Sequence, residues 1–96
     1  MKFKIPNQID LAGQTLDVVM DPSIQKLSGC CGQTHFDEGV IIINPNLRPD
    51  TRAVTYFHEL VHAILMTMGN QDLNKDEAFV DTFGNLLWQS FKTAKY

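Results

Sequence analysis

The chain has 96 residues, 44% of them hydrophobic and 20% charged, and eight Lys and Arg against eleven Asp and Glu leave a formal charge of −3. That length suits one domain spanning residues 1–96, and the balance is that of a globular chain, neither disordered nor fibrous. No cluster of basic residues offers a nucleic-acid footprint. The apolar runs Gly39–Ile43 and Val61–Met68 fall far short of the roughly 20 residues that span a bilayer, and Met1–Asp10 has no apolar leader core. The expected setting is the cytoplasm, without nucleic-acid or membrane partners.

Lys4–Leu11 and Thr15–Met20 read as two strands around Ala12-Gly13-Gln14, the second ended by Asp21-Pro22. Cys30-Cys31 fits neither the C-x-x-C redox pattern nor a zinc knuckle, so these are expected to be reduced, structurally incidental thiols. Gly32–Phe36 and Val40–Asn44, joined by Asp37-Glu38-Gly39, read as a hairpin. Pro49-Asp50-Thr51 then opens a long helix stopped by Gly69. After a short polar loop at Asn70–Leu73, Asn74 followed three residues later by Glu77 reads as a capping box opening a last helix to about Thr93. Strands first and helices last predict an α+β fold: a small antiparallel sheet of three or four strands followed by two packed helices.

The first long helix carries His58-Glu59-Leu60-Val61-His62, the H-E-x-x-H spacing. Residues four apart on a helix differ by about 40° in direction and about 6 Å in height, so both imidazoles rise from one face and converge on one metal ion, which imidazole nitrogen suits to Zn²⁺. Glu59 is turned about 100° from His58 and is placed to accept a proton beside the metal. The surrounding Val54, Phe57, Leu60, Val61, Ile64 and Leu65 make this a core helix, in which two His and a Glu are costly unless satisfied. A catalytic zinc site needs a third protein ligand. The last helix supplies Glu77, with Asp81 one turn on as the carboxylate that would accept the free ring N–H of His58, and with Gly84 on the same face to admit close helix approach. If Glu77 instead serves only Asn74 in the capping box, Asp81 or Asp76 would have to be recruited. Tyr56 should face away from the metal, and Trp88 with Phe79, Phe83 and Phe91 should be helix-packing core.

His58-Glu59-x-x-His62 followed by Glu77 and Asp81 resembles the gluzincin clan of zinc metallopeptidases. The small size and the hairpin ahead of the helix resemble its minimal members and the ImmA/IrrE-type and SprT-like families of bacteria and their phages. The likeness covers roughly residues 30–90, with a shorter interval between His62 and Glu77 than in the large thermolysin-like members. The resemblance implies one zinc ion on His58, His62 and Glu77, with Glu59 as general base in peptide hydrolysis. It also implies a sheet edge at Gly32, Gln33, Thr34 and His35 along which a peptide or protein substrate could pair as an added strand. His35 is a further candidate for orienting substrate. Two other readings stay open on the sequence: a non-catalytic zinc-binding regulatory or interaction protein on a degenerate metallopeptidase scaffold, and a small α+β domain holding no metal.

Overall fold

The computed structural model describes residues 3–28 and 31–96. Strands β1 (Gln8–Leu11) and β2 (Gln14–Met20) form an antiparallel hairpin turning at Ala12 and Gly13, whose φ of 50° and 82° are the left-handed values a two-residue hairpin loop requires. The first strand begins later than the expected Lys4, beyond Pro6, whose missing N–H cannot donate to a ladder. A short helix, α1 (Ile24–Ser28), follows. At five residues it is too short to show a periodic pattern in the sequence.

Strands β3 (Gly32–His35) and β4 (Val40–Ile43) form the predicted hairpin, closed by one 3₁₀ turn over Phe36–Glu38. The sheet order is β1-β2-β4-β3, with β4 antiparallel to β3 but parallel to β2. The sheet is therefore mixed, not antiparallel throughout. After α1 the chain lays β3 on the far edge and returns β4 into the gap beside β2, a pairing that hairpin signals, which report neighbours in sequence, cannot announce.

One sheet face is buried. Leu16 and Val18 of β2 and Ile41 and Ile43 of β4 alternate with exposed or half-buried residues and pack, with Tyr56, Phe57 and Ala63, into the main core cluster. The last three belong to α2 (Pro49–Met68), which opens with Pro at its first position and ends on Gly69 in the left-handed region, as expected. The segment read as a polar loop holds another short helix, α3 (Gln71–Lys75), capped by the Asn70 side chain accepting from the Leu73 amide.

Helix α4 (Glu77–Thr93) ends where expected, but its cap is Asp76, accepting from the Phe79 amide at 3.0 Å, and not Asn74. The capping-box reading thus misplaced the helix start by two residues. It leaves both Asn74 and Glu77 free for other work, while Asp76 is committed to the cap. Along α2, α4 buries Val80 against Val61 and Leu65. Nearer its end, Trp88 and Phe91 join Phe57 and the N-terminal Phe3, with ring centroids 5.2–6.1 Å apart. Phe79 packs on the Val61 cluster, but Phe83 and Phe91, 45% and 56% exposed, do not belong to the core expected of them. No helix among the described residues is long and apolar enough to cross a membrane.

Candidate metal centre and cleft

Helix α2 runs between the sheet edge β3 and helix α4, and the chemistry-bearing side chains project along both flanks. On the α4 flank a Cβ built on Gly84 would stand 3.1 Å from the backbone N and Cα of His58, so the absence of a side chain is what lets α4 lie directly on the helix bearing the two histidines. That approach brings Glu77, in the first turn of α4, over them. Its Oε2 lies 3.4 Å from His58 Nε2 and its Oε1 lies 3.2 Å from His62 Nε2. One ligand atom from each of His58, His62 and Glu77 falls within 4.8 Å of the others.

The outward-facing nitrogens have partners of their own. His62 Nδ1 is 2.7 Å from Asn74 Oδ1. Because a carboxamide oxygen only accepts, Nδ1 is the nitrogen that donates to Asn74, and Nε2 is the one turned toward Glu77. Asp81 Oδ1 stands 3.6 Å from His58 Nδ1, the arrangement anticipated for it, at an ion-pair distance longer than a closed hydrogen bond. The Nε2 atoms of His58 and His62 are thus both directed at the one Glu77 carboxylate. Two nitrogens and one oxygen converging in this way are a donor set suited to zinc.

Asn74 is the residue that sequence reasoning missed. Asn three residues before Glu, ahead of a helix, is read as a cap, and only the presence of Asp76 beside it hinted at a second claimant.

Glu59 lies on the other flank and is 7% exposed. Its Oε1 accepts from Thr34 Oγ1 at 2.7 Å, and the same hydroxyl lies 3.0 Å from the Glu59 carbonyl oxygen. Its Oε2 is 4.0 Å from His58 Nε2, beside the ligand group but not part of it. Gly32 and Thr34 are the residues of β3 that face α2. A Cβ on Gly32 would meet Thr55 Cγ2 at 2.6 Å and Glu59 Cγ at 3.1 Å. Gln33 and His35 alternate to the opposite side, where His35 Nε2 and Gln33 Oε1 are 2.9 Å apart.

A groove of about 700 Å³ follows α2 past these groups, lined by Gly32, Gln33, Thr34 and His35, by His58, Glu59 and His62, and by Glu77 and Asp81. Thr51 and Val54 flank it at one end and Met66 and Asn74 at the other. All nine residues anticipated from the sequence thus border one cavity. Tyr56 faces away into the core, where burial pushes its phenol above the ordinary value. Cys31 is exposed at the groove, and Cys30 lies outside the described residues.

No curated protein and no solved structure matches the chain. A family model does, the M78 peptidases described as the IrrE N-terminal-like domain, over residues 17–85. The matched span runs from β2 to the middle of α4 and takes in every residue of the groove named above. The family is of the zinc metallopeptidase type, in keeping with the His58, His62 and Glu77 group. The chain has a metallopeptidase-like scaffold and belongs to the IrrE N-terminal-like family of M78 peptidases.

Proposed function

We propose that the domain is a zinc-dependent endopeptidase of the gluzincin kind, with His58, His62 and Glu77 as metal ligands and Glu59 as general base. The observation that carries this reading is the buried carboxylate of Glu59, with one oxygen 4.0 Å from a histidine nitrogen of the ligand group and no place in that group. A purely structural site has no use for such a residue.

Bound zinc would supply a water of lowered pKa and a Lewis acid for the scissile carbonyl. The protein's part follows from its own atoms. Glu59 Oε2, the oxygen toward the ligands, takes up a proton during attack and returns it to the departing amine nitrogen. Asn74 and Asp81 hold the two imidazoles with their Nε2 atoms turned inward. The outer edge of β3, which no described strand covers, offers backbone N–H and C=O groups to an extended peptide or protein segment. Two features favour internal cleavage over trimming of a carboxyl end. The groove continues along α2 on both sides of His58, and its described lining holds no Lys or Arg to meet a terminal carboxylate.

Elemental analysis together with a peptide library read by mass spectrometry tests the reading. The wild type should hold one zinc per chain and cleave within peptides. Glu59→Gln should keep the zinc and lose about 10²–10⁴ in turnover, the usual worth of a general base. A wild type that binds zinc but cleaves nothing would remove the catalytic claim, and a wild type without zinc would remove both.

A further inference from the structure

The strand that borders the groove also reaches the base. Thr34 places its hydroxyl 2.7 Å from Glu59 Oε1, across 25 residues of sequence, while Gly32, two positions earlier on the same strand face, leaves so little space that a methyl there would collide with Thr55 and press on Glu59 Cγ. We propose that Thr34 is the positioning residue of Glu59, its hydroxyl anchoring Oε1 so that Oε2 is the oxygen presented to the ligand group. The proposal rests on the reading of Glu59 as base and adds how that base is aimed.

A glutamate side chain has three rotatable bonds, and burial alone leaves it several ways to lie. The Thr34 hydroxyl removes that freedom at one oxygen, and the other is then found 4.0 Å from His58 Nε2. The anchor sits on β3 and not on α2, so a displacement of the edge strand would displace the base with it. A substrate paired to that edge and the base that serves it would then share one rigid element, which keeps reacting groups within the small tolerance that attack geometry allows.

Thr34→Val keeps the shape and removes the hydroxyl, and Thr34→Ser keeps the hydroxyl and removes a methyl. With zinc loaded, the valine variant should retain one zinc per chain and an unchanged KM for a peptide drawn from the library, while kcat falls about 10–100-fold. The serine variant should recover most of that loss. A valine variant within twofold of wild type in kcat overturns the proposal. So does one that loses its zinc, since the hydroxyl would then serve the ligands or the fold.

A second readout needs no activity. In high-resolution crystal structures of the zinc-loaded proteins, the Glu59 carboxylate should be bonded to Thr34 in the wild type and displaced in the valine variant. An identical carboxylate position in both overturns the proposal. That comparison stands even if no peptide is cleaved, a result that would instead count against the reading of the whole site.

Discussion

On the flank of α2 that meets the sheet, the Glu59 side chain is 9% exposed and closed in by Thr34 and Gly32, whereas on the flank that meets α4 the Glu77 and Asp81 side chains are 68% and 65% exposed. One side of the site is arranged by packing and the other by charge. Buried contacts on the first hold their geometry whether or not a metal is bound. On the second, two exposed carboxylates face histidine nitrogens across 3.2–3.6 Å with little packing to hold them. The proposed base is therefore held by packing, and the proposed ligand group would be completed by the ion.

That contrast can be broken most forcefully at the ligands. His62→Ala should weaken zinc binding by more than about 100-fold, as measured by competition with a chelating dye, while the fold around Glu59 persists. Chelation of the wild type should lower its melting temperature by about 10–20 °C if zinc at a hundred times its Kd contributes about 2.7 kcal/mol. An unchanged melting temperature would mean that α4 docks without help from the metal.

The two glycines sharpen the comparison. Gly84→Ala should cost about 1–3 kcal/mol and also weaken zinc, because the intruding methyl meets the His58 backbone, which cannot give way. Gly32→Ala should cost a similar amount and leave zinc affinity within about threefold. Adding Thr55→Ser should restore part of the loss, since it removes the Cγ2 atom at 2.6 Å and keeps the hydroxyl that donates to the Thr51 carbonyl. Denaturant titration reads the stabilities. Equal loss of zinc in both glycine variants would erase the distinction between the flanks.

Smaller effects belong to the outer partners of the histidines. Asn74→Ala should reduce zinc affinity about 10–100-fold, the usual range for such partners, and Asp81→Ala should sit at or below the bottom of that range because its approach is longer and more exposed. The reverse order would show that Asp81 closes on His58 once the ion is present.

Much of this was legible in the sequence because it depends on spacing along a single helix. His58, Glu59 and His62 declare themselves by a one-turn interval, and Glu77, Asp81 and Gly84 by sharing a stripe on the next long helix. What was hidden depends on elements that meet only in space. The hydroxyl of Thr34 and the carboxylate of Glu59 carry no mutual signal across 25 positions, and the parallel pairing of β4 with β2 leaves none of the turn residues that mark a hairpin. The error over Asn74 has another cause. Two residues competed for one capping role, and the tighter local cap at Asp76 won, releasing Asn74 to His62. The short helices α1 and α3 were missed because five residues cannot display a helical period.

The edge of β3 that no described strand covers has a consequence for solubility. An open strand edge invites a second copy of the chain to add itself, and the usual defences are brevity and polar side chains. β3 has both, being the four residues Gly-Gln-Thr-His with no large apolar group among them. Its composition works against self-stacking, so the edge that would let a peptide dock is a poor template for a second copy of the chain. Branched apolar residues at Gln33 and His35 would remove that protection, and size-exclusion chromatography of such a variant should then show larger species than the wild type at the same concentration.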